Sequence, residues 1–331
     1  MSSIVFPLHR LSGNALLQVI RKFDYINLIA FSLISTKTKR FVKSLNLAIE
    51  TLAVKIGGNE HPHRELLRLD LIFENGGAIE FEIYQNIDQD RTPEIPLIGL
   101  DKVPKFVHYY MDLSGHSPLD TSTWENLGLS FAEWFEHFRS LFKFEGFRFD
   151  VCTRNEEVVD PVAIRNLLPE WTEVIIERAS SKHAEKIFEL FSPYTKYFDI
   201  GVPKIPQKVG IQNFDIISSY DPLKLDDLLR LNASDIRVRK FSISDARRLL
   251  KSWVKGSNPR MKYLFMVFTE EWSEENLFKG ITHQIMPWDS ERMTENGIIR
   301  GGYDIRTKKG ILATIKICNR TPPSITMHVW N

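Results

Sequence analysis

The chain is poor in cysteine and contains no long apolar segment. Only Cys152 and Cys318 occur among 331 residues, which excludes a disulfide-stapled fold and favours a reducing compartment, the cytoplasm or the nucleus. No run approaches the roughly eighteen consecutive apolar residues that a membrane-spanning helix needs, so no membrane partner is expected. Hydrophobic residues still make up 43% of the chain, enough for a large core without staples.

Signatures of catalysis and of cofactor binding are also missing. The chain has no Gly-x-Ser-x-Gly nucleophile turn, no P-loop, no Gly-x-Gly-x-x-Gly fingerprint and no His-Glu-x-x-His helix. His61 and His63 could supply two metal ligands, but no cysteine or acidic pair is spaced to complete a zinc site. We therefore predict a non-enzymatic protein with no catalytic residues, no metal and no cofactor.

Acidic residues are scarce at the N-terminus. Residues 1–49 hold seven Lys or Arg and one acid, Asp24, a balance of +6 in a chain whose net charge is +1. A mitochondrial transit peptide can have this composition, but the helical pattern continues beyond a typical cleavage point. By charge alone, a basic end is compatible with three kinds of acidic partner, which are nucleic acid, an anionic membrane and an acidic protein surface.

The first 45 residues have the apolar spacing of three short helices. Asn14 can cap the first helix, residues 28–33 form the second, and Ser35 can cap the third. From about residue 49 apolar and polar residues alternate as in strands, and Asn75-Gly76-Gly77 predicts a hairpin turn. Residues 130–142 predict a helix with a capping box of Ser130 and Glu133 and an aromatic stripe suited to core packing.

The second half alternates helical segments with short apolar strands. Strands are predicted at 174–177, 197–200, 236–239 and 263–266, with an additional candidate at 209–214. This spacing predicts a mixed α/β fold, a parallel sheet backed by helices that resembles leucine-rich-type repeats, with a doubly wound sheet as the alternative. Residues 269–296 are interpreted as a long loop with one helical turn. The final forty residues predict a closing antiparallel β meander.

A group of basic residues offers a second interpretation. Acids interrupt it and no aromatic residues are interleaved, so a solvated face is favoured, and nucleic-acid binding by this group and the basic N-terminus is the alternative function. The group comprises Arg237, Arg239, Lys240, Arg247, Arg248 and Lys251.

The N-terminal sequence "RLSGNALLQVIRKFDYINLIAFSLISTKTKRFV" resembles an F-box. Ser12 stands where F-boxes usually have Pro, and Thr36 stands where Lys is common. The resemblance implies docking of residues 1–47 on the acidic Skp-type adaptor of a cullin–RING ubiquitin ligase. The adaptor-binding residues it implies are Leu11, Leu16, Leu17, Ile20, Leu28, Leu33, Lys37 and Arg40, with Lys39 at the basic rim.

Residues 48–331 are the predicted target-binding region. Within them, residues 205–268, above all "LDDLLRLNASDI" and "LLKSWVKGSNPRMKYL", resemble the type 2 F-box-associated domain of a large nematode family. The resemblance implies a substrate-recognition subunit of a Skp–cullin–F-box ubiquitin ligase, with an unknown target protein. Candidate target-binding residues are Arg237, Arg239, Lys262, Tyr263, Trp272 and Trp288.

Overall fold

The computed structural model describes residues 8–57, 67–84, 99–101, 103–112, 120–153, 160–168, 170–201, 213–270, 273–294, 297–318 and 321–330. The chain divides into two compact units. The first comprises Met1–Ala53, Arg68–Ile95 and Gly99–Phe147, and the second comprises Val54–Leu67, Pro96–Ile98 and Arg148–Asn331. The fold is mixed α/β, with N-terminal helices followed by a large array of strands.

Three short helices open the first unit, as the sequence predicts: α1 (Gly13–Ile20), α2 (Tyr25–Leu33) and α3 (Thr36–Ser44). The predicted cap of α1 was wrong, because Ser12 rather than Asn14 accepts the hydrogen bond from a first-turn backbone amide. Helix α2 starts three residues before its predicted start, since Asp24 caps it. Ser35 caps α3 as predicted, in a capping box with Thr38.

In the first unit, β2, β3, β4 and β5 pair antiparallel in chain order, and β1 lies beside β2. The predicted hairpin turn is present, and the Asn75 side chain accepts a hydrogen bond from the Gly77 amide. Helix α4 follows with the predicted capping box of Ser130 and Glu133. The bounds are β1 (Ala48–Ile56), β2 (Leu67–Ile72), β3 (Ala78–Tyr84), β4 (Phe106–Asp112), β5 (Asp120–Glu125) and α4 (Phe131–Leu141).

The aromatic stripe of α4 is core, as predicted. Trp134 and Phe138 are buried and contact the ring of Phe81 in β3. The N-terminal helices pack on the same core, because Tyr25 of α2 contacts the rings of Phe73 and Phe142. The remainder of the first unit therefore provides the packing partner that three short helices need.

Parallel strands in consecutive order organise the second unit. The order β6-β7-β8-β9-β10-β11 has no reversal, in contrast to a doubly wound sheet. The four main predicted strands are found within three residues of their expected ends, whereas the additional strand lies at 216–219, after the predicted segment. The elements are β6 (Lys143–Val151), α5 (Pro161–Arg165), β7 (Glu173–Ile176), α6 (Ser181–Phe191), β8 (Tyr197–Ile200), β9 (Ile216–Ser219), α7 (Leu225–Arg230), β10 (Asp235–Phe241), α8 (Ile243–Val254) and β11 (Tyr263–Phe268).

Four antiparallel strands complete the second unit in the order β11-β15-β14-β13-β12. The predicted closing meander is present, but the long loop predicted over residues 269–296 was wrong. That segment contains a helical turn and a twelve-residue strand that pairs with the next strand, so polar residues here mark an exposed hairpin. The bounds are α9 (Glu274–Phe278), β12 (His283–Thr294), β13 (Gly297–Arg306), β14 (Leu312–Cys318) and β15 (Ser324–Trp330).

Candidate functional site

One face of the parallel sheet in the second unit is open. In β10, Ile236 and Val238 are buried while Arg237 and Arg239 are exposed. Helix α8 connects two neighbouring parallel strands, and its apolar side packs on the buried face. The opposite face therefore remains uncovered by helices along β10.

Residues of four adjacent strands line a concavity of about 560 Å³ on this open face. Asp199 of β8 lies at its floor, and the hydroxyls of Ser218 and Tyr197 hydrogen-bond to its carboxylate. The hydrogen bonds lower the pKa of Asp199, but burial outweighs them and raises the pKa above its usual value. Burial and the neighbouring Asp199 raise the pKa of Tyr197 to about 12, so its phenol stays protonated.

Three candidate target-binding residues come together in this concavity: Arg237, Arg239 and Tyr263. The Arg237 guanidinium binds the Asp235 carboxylate at 2.8 Å and lies 5.7 Å from the centre of the Tyr263 ring. The Arg239 guanidinium stacks 4.3 Å from the centre of the exposed Tyr220 ring. Tyrosine and arginine side chains of this kind are frequent anchors of protein interfaces.

The other target-binding candidates differ in position. Lys262 is exposed directly before β11, and Trp272 lies outside the described residues. Trp288 is 74% exposed in β12, where the register slips so that residues 287–290 oppose Gly301 alone. This bulge projects the indole, and such irregularities often direct a side chain towards a functional surface.

The hairpin that carries Trp288 is fixed by a partly buried ion pair. Arg292 binds the Asp304 carboxylate with both terminal nitrogens, each at 2.7 Å, and also contacts the Thr314 hydroxyl. Burial works to raise the pKa of Asp304, but hydrogen bonds from Arg292 and Thr314 outweigh burial and hold the pKa below its usual value. The base of the hairpin is therefore rigidly placed although its outer surface is exposed.

The basic group considered for nucleic acid is divided by the fold. Arg237 and Arg239 lie on the open sheet face, whereas Arg247, Arg248 and Lys251 belong to α8, on the face that the helix covers. Arg248 also pairs with Asp245 at 3.1 Å. A single continuous basic patch does not result, so the geometry does not favour the nucleic-acid alternative.

The adaptor-binding candidates divide into buried and accessible residues. Leu16, Ile20 and Leu28 are buried within the first unit, and adaptor contact by these three residues stays a prediction. Their apolar spacing is that of a core face, which sequence alone could not distinguish from a docking face. Partly or fully accessible are Leu11, Leu17, Leu33, Lys37, Lys39 and Arg40.

One accessible residue was missed by the sequence-based selection. Ile34 follows α2 and is 70% exposed, so its apolar side chain is accessible to a partner. Its place in the apolar pattern, next to the Ser35 cap, was visible in the sequence. Its orientation away from the core depends on the angle between α2 and α3, which the sequence does not specify.

Neither metal-binding groups nor membrane-spanning helices are found in the described part of the chain. No set of three His, Cys, Asp or Glu side chains there is arranged to hold a metal ion, and His61 and His63 lie outside it. Cys152 and Cys318 are free thiols. None of the described helices is long and apolar enough to cross a membrane.

Two regions of the chain match known protein families. Residues 8–50, which contain α1 to α3, match the family model of the F-box domain, and residues 205–266 match that of the F-box associated family. An uncharacterized protein of Caenorhabditis elegans is 22% identical over 300 residues, covering 88% of this chain and 82% of the worm protein. No solved structure matches the chain.

Proposed function

We propose that this chain, with its F-box match ahead of its F-box associated match, is the non-catalytic substrate-recognition subunit of a Skp–cullin–F-box ubiquitin ligase. The observation that carries the proposal is the order of the two regions, F-box helices first and an open sheet face second. F-box proteins are in general adaptors, and neither of the two matching families is an enzyme family. The role suits the cytoplasm or the nucleus.

The proposed adaptor surface lies on the N-terminal helices. Ile34, Leu17 and Leu33 supply accessible apolar area, and the exposed Lys37 and Arg40 supply positive charge at its rim. An acidic Skp-type adaptor complements that charge. The apolar residues would account for most of the affinity, while the rim charges would accelerate and orient the encounter. A cullin would then join through the adaptor.

The proposed target surface is the open sheet face of the second unit. Its consecutive parallel strands, each preceded or followed by a helix on the opposite face, suit the leucine-rich-repeat-like arrangement that we propose for this region. Repeat proteins with this arrangement commonly bind partners on an exposed sheet face. The concavity around Asp199, Arg237 and Arg239 is the most sharply shaped part of that face.

Co-expression with a Skp-type adaptor tests the proposal. The full chain and the adaptor should elute together from a size-exclusion column, with one copy of each in the complex. The complex should persist when the salt concentration is raised, because apolar contacts provide most of the affinity. Elution of the folded chain separately from the adaptor at every salt concentration would refute the assignment.

A further inference from the structure

Cations stacked on aromatic rings recur across the open face of the second unit. Besides Arg239 on Tyr220 and Arg237 on Tyr263, the Lys316 ammonium lies 5.5 Å from the centre of the Trp288 ring. The three cations come from β10 and β14, two strands that are far apart in the sequence. Such stacking orients a cation while leaving its outer hydrogen-bond donors available to a ligand.

Strand register places these groups on one continuous surface. Directly paired residues share a face, and successive pairings connect one row that crosses β8, β9, β10, β11, β15 and β14. The row contains Asp199, Ser218, Arg237, Phe265, Thr326 and Lys316. Five strand spacings of about 4.8 Å make the row roughly 24 Å long, which is the length of about seven residues in an extended chain.

The charge on this surface is positive. Among the residues that alternate onto the open face of β8, β9, β10, β11, β15 and β14, there are three cations (Arg237, Arg239 and Lys316) and two carboxylates (Asp199 and Asp235), a formal balance of +1. Asp235 is bound to Arg237. Within the described residues no carboxylate lies within ion-pair distance of Arg239 or Lys316, so both cations can meet an external anion.

The spacing of the charges favours a peptide over a nucleic acid. Arg239 and Lys316 are on strands three spacings apart, about 14 Å, with Tyr263, Phe265 and Thr326 between them. A phosphate backbone favours a continuous basic stripe, whereas these cations are isolated among aromatic and hydroxyl groups, with Asp199 at one end. Separate acidic side chains on an extended polypeptide match such isolated cations.

We propose that the open face binds an extended, acidic segment of the target protein, with carboxylates on Arg239 and Lys316 and the chain lying over Tyr263 and Phe265. Trp288 closes one end of this surface by packing against the segment near Lys316. The inference rests on the proposed function and specifies the class of target. Each carboxylate contact is charge-assisted, and the aromatic side chains provide apolar area.

Selection from a displayed library of random linear peptides tests the proposal. The peptide library is presented to the full chain in complex with its adaptor. Enriched peptides should carry an excess of Asp and Glu, and their affinity should fall as salt rises. Arg239→Gln and Lys316→Gln should each weaken a selected peptide about tenfold, as expected for an interface anchor. Arg248→Gln, which removes the same charge from α8, is the matched control and should leave affinity unchanged.

Three results would overturn the proposal. They are enrichment of peptides without an acidic excess, unchanged affinity in Arg239→Gln and Lys316→Gln, and the absence of any enriched peptide. A single-stranded RNA probe is tested in parallel. RNA binding that depends on Arg239 would show that the open face binds a nucleic acid rather than a peptide. Adaptor binding is also measured for each variant and is expected to be unchanged. If the unsubstituted chain does not bind the adaptor, the proposed function is refuted rather than the peptide proposal.

Discussion

The hydroxyl oxygen of Ser32 lies 2.8 Å from Nε2 of His137, in a buried contact between α2 and α4. The same hydroxyl donates to the carbonyl oxygen of Ile29 at 2.6 Å. A hydroxyl has one proton, so when Ser32 donates it to the Ile29 carbonyl, Nε2 of His137 is the donor to Ser32. The contact attaches α2 to α4 within the core of the first unit.

Titration of His137 should make the first unit sensitive to acid. Burial, with a contribution from Lys39, lowers the pKa of His137 to about 4, whereas an unfolded histidine has a pKa of about 6.5. Below pH 6.5 the unfolded chain takes up a proton that the folded chain resists. The free energy of unfolding should therefore fall as pH drops from 6.5 towards 4, by roughly 3 kcal/mol at most from this group.

His137→Phe provides the comparison for that titration. Phenylalanine removes the titrating group, and Ser32 keeps its bond to the Ile29 carbonyl. Urea unfolding measured between pH 4.5 and 7 should show a smaller dependence on pH for this variant than for the unsubstituted chain. Equal pH dependence for the two proteins would contradict the buried neutral histidine.

Substitutions on the F-box helices should separate binding from folding. Ile34→Asp and Leu17→Asp place a charge on accessible apolar surface and should weaken adaptor binding by a factor of ten or more, about 1.4 kcal/mol, with the fold retained. Binding is measured by calorimetry with the purified adaptor. Leu127→Asp, at a residue 68% exposed in the same unit, is the matched control.

The buried leucines serve a different experiment. Leu16→Asp and Leu28→Asp would bury an unpaired carboxylate and should unfold the first unit, so any loss of adaptor binding would be indirect. Circular dichroism distinguishes these variants from Ile34→Asp. Full affinity in both Ile34→Asp and Leu17→Asp would exclude the accessible residues as the docking surface.

Two glycines with positive φ should respond differently to alanine. A Cβ on Gly57 (φ +92°) would lie 2.1 Å from the carbonyl oxygen of Cys152, whereas a Cβ on Gly76 (φ +80°) would meet no atom within 4 Å. Gly76→Ala should cost only the backbone strain, about 1–2 kcal/mol. Gly57→Ala adds a backbone clash and should cost several kcal/mol more. Similar melting temperatures for the two variants would contradict the close approach of Gly57 to the Cys152 carbonyl.

Two ion pairs on the same hairpin should differ in their contribution to stability. Arg292 binds the mostly buried Asp304, and its truncation leaves that carboxylate with the Thr314 hydroxyl but without its cation, at a cost of about 1.5–3 kcal/mol. Arg300 and Glu291 form an exposed pair at 2.6 Å, for which about 0–1 kcal/mol is expected. Chemical denaturation of Arg292→Gln and Arg300→Gln measures both. Equal losses of stability in the two variants would show that the burial of an ion pair does not determine how much it stabilises the hairpin.

Local patterns predicted the secondary structure well because they depend on neighbours in the sequence. The caps at Ser35 and Ser130, the hairpin turn at Asn75 and the strand at 197–200 follow from side-chain chemistry and periodicity. The failures have the same origin. Residues 283–294 were interpreted as loop because an exposed hairpin strand lacks the apolar alternation of a half-buried one.

The sequence by itself determined the class of the protein: a mixed α/β chain that resembles an F-box protein, with helices first and strands after them. Only the tertiary structure decided which apolar residues of the helices are core and which, such as Ile34 and Leu17, remain accessible. It also brought Arg239 and Lys316 onto one sheet face and moved Arg248 to the other. The physical reason is that burial and the sharing of a face depend on packing angles and strand order, which couple residues far apart in the chain.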